Sequence, residues 1–273
     1  MIPESRSSGG PMEFVNDEAL PNRVHNPKRS RRRELADIAV AYGLILTVIW
    51  TPRPWQRYLW LVAVVGVGAI IASSWPGLRT LGLRAGNFLR SLWVVGAALM
   101  FAAVAVTVSA HLHALRDPGT PLDFLVDYGA YIVWSFVQQF LLQCFFLSRL
   151  LRVIPKQRDA AFAAAGLFAA AHVPNPILVG LTIVWGSMAC LIFLRYRNLY
   201  PLAIAHAILG ITIAIAVPGP VDHNMRVGLG YLKYHRGFHK LPLQRSHSDQ
   251  MESTVAWVTA EAPTRRSLLH ARP

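Results

Sequence analysis

Seven apolar runs, at about residues 35–51, 57–73, 88–112, 123–148, 159–172, 176–194 and 199–217, limit what this chain can fold into more than any other feature. A helix crossing the hydrocarbon of a bilayer needs about 20 such residues, with roughly 17 to 25 the usual range. The runs are separated by sharp breaks: Trp50-Thr51-Pro52, Trp75-Pro76-Gly77, Asp117-Pro118-Gly119, Val173-Pro174-Asn175-Pro176 and Pro218-Gly219-Pro220. Proline has no N–H to donate and biases its predecessor out of the helical region, so each break ends a helix. Charged residues make up 15% of the 273 positions, against about 25% in a soluble domain. The pattern predicts an all-α, polytopic membrane bundle of seven transmembrane helices, or eight, with an internal polar cavity. The run ending at His172 is short and reads as a partial or tilted span. Trp50, Trp55, Tyr58, Trp60, Trp75 and Tyr200 fall near run ends, where interfacial aromatics anchor.

The flanks differ in kind. Residues 1–33 are polar, with Gly, Pro, Ser and Arg and little to bury, and are expected to be a disordered basic tail. They show no apolar signal-peptide core, so the first apolar run is expected to act as an uncleaved insertion signal. The membrane domain is expected over 34–217, and a polar C-terminal tail over 218–273, largely disordered after about 241. Cys144 and Cys190 both lie in apolar runs, which favours packing over a disulfide.

The formal charge of +13 is unevenly placed. Arg23, Lys28, Arg29, Arg31, Arg32 and Arg33 crowd ahead of the first run, which places the N-terminus in the cytoplasm by the positive-inside rule. Counting on, the segments holding Arg79, Arg84 and Arg90 and then Arg149, Arg152, Lys156 and Arg158 are cytoplasmic, and 113–122 is external. Seven spans leave the tail outside although it holds eight Lys or Arg from Arg226 to Arg272; long tails follow the rule weakly. Such charge beside membrane spans points to anionic lipid rather than nucleic acid. The expected setting is a bacterial plasma membrane.

Two histidines stand deep in apolar sequence, His172 and His206, where an ionisable ring needs a protein partner and often marks a functional site. A third polar cluster, Gln138, Gln139 and Gln143, lies in the fourth run. Gln139 and Gln143 are four residues apart, as are Phe168 and His172, and His206 and Gly210, so each pair shares a helix face. Lipid offers polar groups no partner, so three such helices are expected to turn these faces towards each other or towards water in a cavity.

At these residues the chain resembles the CPBP family, the type II CAAX-prenyl endopeptidases and bacteriocin-processing or Abi proteins. The family pattern is Glu-Glu-x-x-x-Arg on one helix, Phe-x-x-x-His on the next and His-x-x-x-Asn/Asp on a later one. Here Phe168-Ala-Ala-Ala-His172 is intact, His206 is followed by Gly210 at the Asn/Asp position, and Gln138-Gln139-Phe-Leu-Leu-Gln143 replaces the first motif. The resemblance covers about 123–217. It implies peptide-bond hydrolysis near the membrane surface on prenylated or membrane-associated substrates. In that mechanism a glutamate, helped by histidine, activates water, and the later His and Asn steady the oxyanion.

The departures have a chemical cost. An amide orients water but takes no proton from it, whereas carboxylate and imidazole do. Glycine at 210 removes one oxyanion donor, worth about 2.7–4 kcal/mol. The resemblance then implies His172 and His206 as catalytic groups, with Gln138 and Gln139 positioning water or substrate, and Gln143, Phe168 and Gly210 lining the site. No cofactor is firmly implied; a divalent metal held by both histidines and His223 is the lesser alternative. The partners expected are membrane lipid and a membrane-associated or prenylated polypeptide. The competing readings are a non-catalytic pseudoprotease scaffold and a small proton-coupled transporter.

Overall fold

The computed structural model of the protein describes residues 30–74, 82–83, 87–116 and 120–238. Residues 1–29 and 239–273 of the expected tails, and Arg79 and Arg84, lie outside the described residues. Helix α1, Arg31–Ile49, starts inside the segment expected to be tail, because Ser30 caps it: the Ser30 hydroxyl accepts from the Arg33 N–H at 3.3 Å. Helix α2, Arg53–Ser73, opens directly after Pro52. A short α3, Phe88–Ser91, leads into α4, Trp93–His111. Helix α5, Pro121–Gln139, begins with a reciprocal cap between Thr120 and Asp123, with Pro121 in the first turn. It runs on through a π-helical stretch, Phe140–Leu147, into α6, Ser148–Val153. Then come α7, Gln157–Ala170, α8, Pro176–Tyr196, and α9, Tyr200–Ala216. Beyond α9 the chain makes α10, Gly219–Asp222, a 3-10 turn, His223–Met225, and α11, Gly228–Phe238.

All seven apolar runs are helical, but fewer than seven helices suit a bilayer. Among the described residues four spans are long and apolar enough: Arg53–Ser73, Phe88–His111, Pro121–Val153 and Pro176–Tyr196. A fifth forms if Tyr200–Ala216 and Gly219–Met225, bent by 119°, count as one broken span. The count of seven or eight therefore stands at four or five by length and composition. Helix α7 has 14 residues, about 21 Å at 1.5 Å each, short of a roughly 30 Å core. Helix α1 carries Arg31, Arg32, Arg33, Glu34 and Asp37 in its first two turns.

Those charges are used inside the protein. Arg152 reaches the Glu34 carboxylate at 2.9 Å, and Arg149 lies 3.7 Å from both Glu34 and Asp37. Arg149 also donates to the Ser74 hydroxyl at 2.7 Å and lays its guanidinium 3.8 Å above the Phe145 ring. Arg149 and Arg152, expected in a cytoplasmic loop, are thus in α6 and tie it to α1 and α2. A buried charge persists only when paired in this way.

Helix α7 meets α8 through small residues. Ala160, Ala161, Ala164 and Ala165 are fully buried, and a Cβ built on Gly186 would stand 3.3 Å from both the Ala165 Cβ and the Phe168 ring. Small side chains let membrane helices approach closely and gain van der Waals contact. That approach sets Phe168, and His172 one turn later, against α8. Helix α9 packs on both α4 and α5, which brings His206 to the end of α5.

Candidate active site

Gln139 closes α5 and is fully buried, as is Gln143 in the π-helical stretch behind it. Such wide turns are frequent at functional sites. The Gln143 amide donates to the Gln139 Oε1 at 3.3 Å, which turns the Gln139 amide nitrogen to the His206 Nδ1 at 2.7 Å. The amide and ring orientations follow from this network. With Nδ1 accepting, the neutral His206 ring carries its proton on Nε2.

His172 is held the opposite way. Its Nδ1 lies 2.7 Å from the Phe168 carbonyl oxygen, which only accepts. The proton is therefore on Nδ1, and the neutral ring's Nε2 is a lone pair. The Phe168 ring stands edge-on to both imidazoles, with centroids 4.9 Å from His172 and 5.8 Å from His206. Trp185 on α8 also stands edge-on to His206, with centroids 6.1 Å apart.

Both histidines line a cavity of about 740 Å³, within the range of ligand sites. The expected polar cavity is corrected: the lining is mainly apolar, with polar groups that include Tyr42, Tyr131, Gln138, His172, Trp185 and His206. The reason is that Gln139 and Gln143 satisfy each other and His206 behind the wall, so neither lines the cavity. Phe168, Gly210 and Gln138 do line it. The Gln138 Oε1 is buried with no hydrogen-bond partner, and so is the Trp185 indole N–H.

The chain after α9 closes one end. Asn175, which also caps α8, donates from Nδ2 to the Asp222 carbonyl at 2.8 Å and the Arg226 carbonyl at 3.1 Å. The Gly228 N–H donates to the Val173 carbonyl at 2.9 Å, beside His172. Gly228 has φ +54°, and a Cβ there would collide with the Ile49 side chain and backbone, so only glycine lets this strap meet the end of α1. Arg116 lies 3.6 Å from Asp222. Asn224 donates to the Tyr234 hydroxyl at 3.3 Å, and burial holds that phenol above its ordinary value. Asn224, Met225 and Val227 form the inner face of the strap on the cavity.

The metal alternative loses its ligands. His223 stacks on Tyr231 with centroids 4.5 Å apart. Among the described residues no three His, Cys, Asp or Glu side chains converge to hold an ion. Cys144 and Cys190 are buried thiols, not joined in a disulfide.

The model of the Rce1-like family, type II CAAX prenyl endopeptidases, matches residues 120–212. That segment is an Rce1-like domain. No curated protein and no solved structure matches the chain. The Rce1-like domain contains the catalytic and lining candidates singled out in the sequence, Gln138, Gln139, Gln143, Phe168, His172, His206 and Gly210, while His223 lies beyond it. It also holds two cavity residues that the sequence reading passed over, Tyr131 and Trp185. Tyr131 had a readable signal, since it precedes Gln138 by seven residues, two turns along one face of the Rce1-like domain's first helix. Trp185 had none beyond its type.

Proposed function

We propose that this integral membrane protein hydrolyses peptide bonds of membrane-associated or prenylated polypeptides, with His172 as general base. The observation that carries the reading is the hydrogen bond from His172 Nδ1 to the Phe168 carbonyl, which leaves Nε2 unprotonated on a ring that lines the cavity. In a hydrolytic step this nitrogen takes a proton from water while the water oxygen attacks the scissile carbonyl. The free Gln138 Oε1 accepts a hydrogen bond from the water's second O–H and orients it. His206, held by Gln139, offers its Nε2–H to the developing oxyanion. The mainly apolar wall suits a lipid-modified or hydrophobic segment arriving from the bilayer. The arginines ahead of and inside α1 favour a cytoplasmic N-terminus.

A second reading, a pseudoprotease that holds such segments uncut, is favoured by one fact: amides stand at 138 and 139 where a carboxylate base is expected. The test is peptide-bond cleavage by the purified protein in lipid, against membrane-associated and prenylated peptides. The comparison set is the wild type, His172→Ala, His206→Ala, and Gln138→Glu with Gln139→Glu. Wild-type cleavage lost in His172→Ala supports His172 as base. A silent wild type beside an active glutamate variant supports the pseudoprotease.

A further inference from the structure

Gly210 lies one turn beyond His206 on the same face of α9, and the space its side chain would take is already filled. A Cβ built on Gly210 overlaps the Tyr131 hydroxyl and meets the Tyr131 Cζ at 2.5 Å and Cε1 at 2.6 Å. The phenol of α5 thus ends against the Gly210 backbone. Cβ positions four apart on a helix are about 5–6 Å from each other, so the hydroxyl sits about one turn from the root of His206. Tyr131 lines the same cavity as His172, His206 and Gln138. Ser135 stands beside it, its own hydroxyl committed to the Tyr131 carbonyl at 2.9 Å.

Hydrolysis at this site needs donors for the oxyanion besides His206. The Gln139 amide is spent on His206, and Gln143 on Gln139. Side-chain donors that remain on the cavity wall include the Trp185 indole N–H, the Gln138 amide and the Tyr131 hydroxyl, the last in contact with the Ser135 side chain. The phenol is the most acidic of these, and tyrosine hydroxyls serve as oxyanion donors elsewhere.

We propose that Tyr131 is a catalytic residue of this chain, its hydroxyl reaching past Gly210 to donate a hydrogen bond to the substrate oxyanion beside His206. This rests on the proposed hydrolase reading. As water attacks, a C–O bond forms, the carbonyl π pair moves onto oxygen, and His172 Nε2 takes the water proton. Tyr131 and His206 bond the resulting oxyanion and keep their own protons. On collapse the C–N bond breaks and the His172 proton passes to the leaving amine. Glycine at 210 is then a clearance for the tyrosine rather than a simple loss.

The experiment uses the full chain in lipid nanodiscs with a quenched fluorescent farnesylated peptide as probe. Tyr131→Phe keeps the ring against Gly210 and removes only the donor; kcat should fall on the order of 100-fold with KM unchanged. Tyr131→Ala combined with Gly210→Asn, which puts an amide donor into the vacated space, should recover at least about tenfold over Tyr131→Ala alone. The same variants in the Gln138→Glu background read the donor where the wild type is silent. Cleavage with kcat unchanged in Tyr131→Phe overturns this assignment and leaves the hydrolase reading standing. Absence of cleavage in both the wild-type and Gln138→Glu backgrounds overturns both. A parallel fall in kcat with KM raised and no rescue by Gly210→Asn makes Tyr131 a packing residue and also overturns it.

Discussion

The bond between Gln139 and His206 joins α5 to α9 at the centre of the site, and its strength can be worked out before it is measured. Interhelical hydrogen bonds in membrane proteins average about 0.6 kcal/mol and reach about 1.7. This one is 2.7 Å long between a fully buried amide and an imidazole that is 7% exposed, so no water competes for either group and it belongs near the top of that range. The second bond of the amide, 3.3 Å from Gln143 within one continuous helix, adds about 0.2–0.5 kcal/mol. Gln139→Met keeps the volume and loses both, so it should destabilise by about 1.5–2 kcal/mol. A double-mutant cycle with His206→Leu isolates the pair. Its coupling should be about 1.5 kcal/mol in reversible unfolding from mixed micelles. A coupling below about 0.3 kcal/mol, the level at which independent sites simply add, would refute the reasoning.

Glu34→Gln leaves Arg149 and Arg152 without their shared carboxylate, while Asp37 still serves Arg149; thermal unfolding in detergent should show a loss of about 2–4 kcal/mol, at or just below the usual cost of breaking a buried pair. Gly228→Ala forces a left-handed residue against the Ile49 backbone and should cost at least about 1–2 kcal/mol by the same assay. Asn175→Leu removes both bonds that hold the strap; amide exchange over 219–228 should accelerate while that of α4 stays unchanged. Gln138→Glu supplies a carboxylate base in the cavity, and the farnesylated-peptide assay should read a gain of about 100-fold or more over wild type.

The seven helices were legible because proline breaks and apolar runs act locally, and each run forms its helix where the sequence puts it. The number of spans was not legible, because α1 pairs Glu34 and Asp37 with an arginine more than a hundred residues away. Pairing at that distance leaves no local trace. Spacing marked the candidate residues: Phe168 with His172 and His206 with Gly210 each recur at four residues, and all four line one cavity. Gln139 and Gln143 obeyed the same rule yet turn behind the wall, since the wide turn at Phe140–Leu147 lets them bond each other and His206. Gly210 alone read as a missing donor. The filled space beside it comes from a different helix, which spacing within α9 cannot show.

The wide turn also sets how this helix tolerates changes in length. Phe140–Leu147 separates two fixed points, Gln139 on His206 and Arg149 on the acids of α1. Elsewhere in an α-helix, one residue gained or lost swings everything beyond it by about 100°, at 3.6 residues per turn. Within this stretch the winding is already slack, so a single deletion can be absorbed by tightening to ordinary α pitch. The two ends would stay in phase while the residues of the stretch, Gln143 among them, changed face. A lineage drifting in loop and helix length could therefore lose the Gln143 contact without losing the histidine pair or the ion cluster.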